Sequence, residues 1–161
     1  MSRRSAIAVV ISAAVLPRLL LALVERGNLI AGLTEKSDRF ARILNQSGTF
    51  GLIDGRPSGY TQPAYGFLLA GVYWVAGRSW LSVGVAHIAL ATATALLVYA
   101  IGTTVASRRT AVAAAVIATL HPYLVWHDLH LNREVLDQTL AAAITLAALV
   151  AAIRDRKSTR L

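Results

Sequence analysis

The sequence predicts an all-α, polytopic membrane protein with four transmembrane helices, and three observations carry that expectation. Only 15% of its 161 residues are charged while 56% are apolar, and the mean hydropathy is +0.58. A soluble domain carries about a quarter charged residues. Apolar runs long enough to cross a bilayer recur at about residues 6–25, 81–106, 110–126 and 135–153. The one long polar stretch, about 26–80, falls between the first two of them. The net charge of +8 reads as loop charge that orients the chain and meets anionic lipid. No basic face on a soluble fold is visible, which argues against a nucleic-acid partner. Without cysteine there is no disulfide framework, thiolate chemistry or cysteine zinc site.

The first run is interrupted by Pro17-Arg18. Proline is tolerated in membrane helices, and an arginine near one end snorkels or faces a polar cavity. No small-x-small cleavage pattern precedes Glu25, so the segment reads as a retained anchor. Inside the polar stretch Phe40, Ile43 and Leu44 recur at helical spacing, with Lys36, Arg39 and Arg42 opposite them. Ser37 offers an N-cap and Gly48 a stop, so a short amphipathic helix on the membrane surface is expected. Residues 49–62 read as loop from their Gly, Pro, Ser and Asp content.

Residues 63–77 are apolar, but at ~1.5 Å per residue they reach only ~22 Å of a ~30 Å core. Charge decides their placement. If they do not span, the basic clusters at Arg3/Arg4, Arg108/Arg109 and Arg154 onward share one side, as the positive-inside rule requires. The expected arrangement is therefore a plasma (inner) membrane protein with both termini cytoplasmic. The 26–80 loop, with a second amphipathic helix, and the 121–134 connection are then extracytoplasmic. Residues 154–161 form a basic tail whose KSTRL ending resembles translated adapter read-through, and it is given no part in the fold.

Several residues carry candidate chemistry. Asp38 opens the amphipathic helix and has two readings. It complements the helix dipole, or it is a partly desolvated carboxylate at the membrane boundary, able to take a proton. Arg39, Arg42, Arg56 and Arg78 either attract anionic lipid or clamp a phosphate. Glu134 and Asp137, three apart at the start of the last run, share a face, as capping acids or as groups facing the bundle interior. His127, His130 and Glu134 fall at i, i+3 and i+7. They read as interfacial belt residues or, alternatively, as ligands for a divalent metal ion.

The segments SDRFARIL, QSGTF and PSGYTQPAYGFLLAGVYWVAG, then LLVYAIGTTVASRR and TLHPYLVWHDLHLNREVLDQTL, together resemble the N-terminal part of the GT-C superfamily. The likeness is to the bacterial relatives of protein O-mannosyltransferases and of the lipid A aminoarabinose transferase (family 39 type). PRLLLALV resembles the Arg-bearing end of that family's first helix. The resemblance implies that residues 1–153 are the N-terminal part of a membrane glycosyltransferase module whose other members carry further spans. Such an enzyme takes a sugar from a polyprenyl-phosphate donor, with inversion, to an acceptor lipid, glycan or protein on the extracytoplasmic face. Asp38 matches the position of the family's catalytic carboxylate. Arg39, Arg56, Tyr60, Tyr65, Glu134 and Asp137 are the substrate-binding candidates, and His127 and His130 the metal candidates. The rival expectation is a small non-catalytic membrane protein that binds a lipid or a partner through its first loop. A four-helix transporter ranks below both, because polar lining is confined to residues 134–138.

Overall fold

The computed structural model describes residues 1–31 and 35–158; Thr159, Arg160 and Leu161 of the basic tail lie outside the described residues. Among the described residues seven helices follow in order: α1 (Arg3–Val24), α2 (Lys36–Ser47), α3 (Pro63–Ala76), α4 (Trp80–Val105), α5 (Arg108–Thr119), α6 (Pro122–His127) and α7 (Glu134–Ser158). Three are long and apolar enough to cross a membrane: α1, α4 and the Glu134–Asp155 part of α7.

The expected run at 110–126 is not one helix. It breaks into α5 and α6 at Leu120-His121, where His121 is extended with ψ 121 and Pro122 opens the next helix. A residue before proline is driven out of the helical region, and proline itself has no N–H to continue the ladder. The twelve residues of α5 reach only ~18 Å on their own. Pro17, by contrast, lies inside an unbroken α1.

Alanines let the helices pack closely. On α1 the buried residues are Ala6, Val10, Ala14, Arg18 and Ala22, a stripe at four-residue spacing. It meets Ala95 and Tyr99 of α4 and Ala111 and Ala115 of α5. Small residues bring backbones close enough for dispersion to act where lipid gives no hydrophobic drive. Gly102 is the tightest point, since a Cβ there would lie 2.8 Å from the Ala111 Cβ.

The contacts also set direction. Arg108 donates to the Met1 carbonyl at 3.2 Å, and Arg18 to Thr119 Oγ1 at 3.2 Å, so α1 and α5 run parallel. Tyr99 packs beside Ala6 while Ile88 packs beside Ala22, so α4 runs against both. Thr139 of α7 bonds Thr94 at 2.8 Å and Val135 packs near Ala91 and Val83, which sets α7 parallel to α4. Outside the bundle, α2 packs on α3 through Ala41, Tyr65, Leu69 and Tyr73. The first-loop helix is therefore seated on protein through a face made of Ser37, Asp38, Phe40 and Ala41.

One buried ion pair joins the bundle to the far connection. Arg18, 1% exposed, donates to Asp128 Oδ2 at 2.6 and 3.1 Å and to the Ala14 carbonyl at 3.0 Å. Asp128 is 2% exposed, and burial pushes its carboxyl above the ordinary value even with Arg18 beside it. Its Oδ1 has no hydrogen-bond partner within ordinary geometry among the described residues, although the Gln138 side chain is near enough to stabilise the charged carboxyl. Removing one member of such a pair leaves a desolvated charge and costs about 3–5 kcal/mol. Arg18→Met should therefore lose about that much stability, and adding Asp128→Leu should recover most of it. Denaturant unfolding in detergent checks both, and a single-variant loss below ~1 kcal/mol would mean that the pair does not brace the fold.

Candidate functional site

The polar groups gather at the end of the bundle where α1 finishes and α4 and α7 begin. The first structural cause is the start of α2. Glu35 is its extended N-cap residue and Asp38 its third helical residue, so Ser37 is not the cap that its residue type suggests. Gly48 ends the helix as expected, at φ 73, where its N–H reaches the Leu44 carbonyl.

Asp38 is buried and fully engaged. Its Oδ1 accepts from Tyr73 Oη at 2.7 Å and Arg78 Nε at 2.8 Å. Its Oδ2 accepts from Arg78 Nη2 at 3.2 Å and pairs with Arg42 Nε at 3.3 Å. Arg78 also reaches the Ile30 carbonyl, so the cluster ties α2, the α3–α4 turn and the residues after α1 together. Burial, then the bond to Asp38, pushes the Tyr73 phenol well above its usual value. The bond to Asp38 holds the Arg78 guanidinium all the more firmly charged.

Beside this cluster lies an open polar cleft of about 710 Å³, lined by Glu35, Lys36, Tyr60, Thr61, Gln62 and Arg133 among others. Glu35 Oε2 accepts from the Arg133 backbone N–H at 3.1 Å, and Oε1 lies 3.8 Å from the Arg133 guanidinium. Burial raises the Glu35 carboxyl more than Arg133 lowers it, and the charges of Asp137 and Glu134 add to the rise. Lys36 Nζ donates to Tyr60 Oη at 3.0 Å and sits 4.1 Å from that ring's centroid, which lowers the Tyr60 phenol.

The structure brings some of the sequence candidates together and scatters others. Tyr60 lines the cleft, and Glu134 and Asp137 flank it through Arg133, which lies 3.8 Å from Asp137. Arg39 instead borders a separate depression with Arg42 and Asp54. Arg56 is exposed in a turn where its N–H bonds the Ile53 carbonyl. Tyr65 is buried with its hydroxyl 3.0 Å from His87 Nε2, so it faces the core and not a ligand.

The metal expectation at His127 and His130 does not fit. No group of three or more His, Cys, Asp or Glu stands where it could hold a metal ion among the described residues. The i, i+3, i+7 spacing fails because α6 ends at His127 and α7 begins only at Glu134. His130 donates from Nδ1 to the Trp126 carbonyl at 2.8 Å and stacks on that indole at 3.9 Å. His127 lies against Tyr123 at 3.9 Å and bonds Asn132 at 3.0 Å.

Sequence reasoning missed Glu35, Lys36 and Arg133. Glu35 carried the one available signal, an acid one turn before Asp38 at the mouth of an amphipathic helix. No protein-family model, curated protein or solved structure matches this chain.

The Asp38 cluster yields a direct test. Asp38→Asn keeps the shape but turns charge-assisted bonds into neutral ones, each of the former worth about 1.5–3 kcal/mol. Arg42 and Arg78 are partly solvated, so the expected loss is about 1–3 kcal/mol in unfolding free energy. Tyr73→Phe should lose less, and an Asp38→Asn protein as stable as wild type would show that the cluster holds nothing.

Proposed function

We propose that this chain is the N-terminal part of an inverting membrane glycosyltransferase that uses a polyprenyl-phosphate-linked sugar. The observation that carries the reading is the cleft, where a half-buried carboxylate, Glu35, stands among the cations Lys36 and Arg133 at the mouth of an apolar bundle. Transfer needs those two functions. A base takes the proton of an acceptor hydroxyl as its oxygen attacks the anomeric carbon. The bond from that carbon to the phosphate oxygen breaks, and positive groups receive the charge of the leaving polyprenyl phosphate. Lys36 and Arg133 supply positive charge for the second role.

The resemblance gives the base role to Asp38, whereas geometry favours Glu35. Both Asp38 oxygens are occupied by three protein partners, while Glu35 opens on the cleft with a raised carboxyl. Asp38 then positions Glu35 by holding α2 on α3. The donor's isoprenoid tail is apolar, and so is the groove of about 750 Å³ between α3 and α4, which runs past Leu68, Val72, Val75 and Leu81. A non-catalytic lipid-binding protein would use the same groove but would leave Glu35 and its cationic neighbours without a task.

Four passes with both ends cytoplasmic belong to the same proposal. The end of α4 lies beside Met1 and Arg108, and the start of α7 beside Glu35. On this reading the segment from α5 to α6 makes the remaining pass despite its break. Arg3, Arg4, Arg108, Arg109 and Arg154 all fall at the end opposite the cleft. A reporter active only outside the cytoplasm should be active at Gly55 and silent at Arg109, and activity at Arg109 would overturn the topology.

In the complete enzyme, Glu35→Gln should lower transfer from a defined polyprenyl-phosphate sugar by about 100- to 10,000-fold. Asp38→Asn should lose activity only in step with its stability. A base works deprotonated, so wild-type activity should fall with falling pH through a value above the ordinary glutamate 4.5. Glu35→Gln should abolish that acid limb. Turnover of Glu35→Gln within a few-fold of wild type would return the role to Asp38 or remove it from this cleft.

A further inference from the structure

The opposite end of the bundle holds a second site, and we propose that it binds the phosphate headgroup of an anionic phospholipid on the cytoplasmic side. A cleft of about 560 Å³ lies there between the first turns of α1 and α5 and the last turns of α4. Arg3 and Arg108 stand at its rim, Ile7 and Leu96 give it apolar wall, and Tyr99 and Thr103 line it.

Three observations point to an anionic occupant. Arg3 and Arg108 form no ion pair among the described residues, whereas Arg18, Arg42, Arg78 and Arg133 all meet carboxylates. Arg108 is held in place by its bond to the Met1 carbonyl, which leaves its other N–H donors free. Tyr99 lines the cleft at only 7% exposure, and its hydroxyl, which makes no hydrogen bond among the described residues, is not sealed off with the buried unpartnered atoms and so opens outward. A phenol at the edge of an apolar core normally finds an acceptor. A phosphate oxygen supplies one, and two guanidinium groups supply the matching charge.

The helix ends themselves are already served. Ser2 caps α1 through the Ser5 N–H and Ser107 caps α5 through the Thr110 N–H. The guanidinium groups and the phenol, not the helix termini, therefore make the site. Its place at the ends of membrane-crossing helices selects a lipid headgroup over a free anion, because acyl chains continue along the exposed Val9 and Val105 surfaces. Basic pockets between membrane helices on the cytoplasmic face bind anionic headgroups in this way. The proposal rests on the four-pass topology proposed above but not on the transferase chemistry, since none of these residues lines the other cleft.

The test is native mass spectrometry of the purified full chain in neutral detergent, titrated with phosphatidylglycerol and, separately, with phosphatidylcholine. One phosphatidylglycerol should bind in clear preference to phosphatidylcholine, and inorganic phosphate should displace it only weakly. Arg3→Gln with Arg108→Gln should weaken it by at least about tenfold, and Tyr99→Phe by a smaller, measurable factor. Arg4→Gln with Arg109→Gln keeps the same net charge as the first pair but changes residues that do not line the cleft, so affinity should hold within about threefold. Equal loss in both pairs would mean diffuse attraction and overturn the site, as would equal binding of the two lipids. Strong competition by inorganic phosphate would make the occupant a free anion. Tyr99→Phe, which preserves packing, guards against misfolding, and helix content by circular dichroism is checked for every variant.

Discussion

A guanidinium inside an apolar bundle has to be neutralised where it stands, and Arg18 sets much of this structure by that requirement. It lies on the same stripe as Ala6, Val10 and Ala14, so the face that packs α1 against α4 and α5 also carries a full charge. Water cannot reach it, and leaving it unpaired would cost several kcal/mol. Asp128 answers it from 110 positions away, at 2.6 Å, with Thr119 sharing the guanidinium. That pair pins the connection that follows α6. Five residues on, the same connection delivers Arg133 to Glu35. The buried ion pair and the open cleft are thus linked by a short, tethered length of backbone.

Solvation then separates the acids at the cleft end by role. Asp38 and Asp128 are buried and matched to arginines, which suits them to hold elements in place. Glu35 is half-buried, and its partner Arg133 is itself partly solvated, so its charge is only partly compensated. A carboxylate in that intermediate condition keeps both access and a raised proton affinity. The Asp38 cluster supports it from behind, because α2 cannot shift on α3 without breaking bonds to Tyr73 and Arg78.

The long apolar helices and the polar loop were legible in the sequence because hydropathy and charge act over whole segments. The reading of 63–77 as too short to span agrees with the fourteen-residue α3. The break between α5 and α6 was overlooked, since apolar content continued through Pro122 and masked the restriction on His121. Site residues were harder. Asp38 and Tyr65 are polar types whose function depends on what surrounds them, and both turned out to face protein. The histidine spacing held meaning only if one helix ran through Glu134, and none does. Arg18 was marked as unusual, but its partner lies too far along the chain for any local pattern to name it.

The two ends of the bundle differ in how their arginines are satisfied, and that difference has a physical origin. Every acidic residue except Asp155 lies toward the end that holds the polar cleft, where Arg18, Arg42, Arg78 and Arg133 meet carboxylates while, among the described residues, Arg26, Arg39 and Arg56 do not. The end where α1 and α5 begin carries Arg3, Arg4, Arg108, Arg109 and Arg154 against the single acid Asp155, so its net charge is positive. Arg3 and Arg108 share one cleft because α1 and α5 run parallel. An anionic headgroup is the partner proposed for them, and Tyr99, buried between the same helices, lines the same cleft. The fold that gathers every acid but Asp155 at the cleft end therefore leaves the other end with an excess of positive charge, which an anionic headgroup is suited to meet.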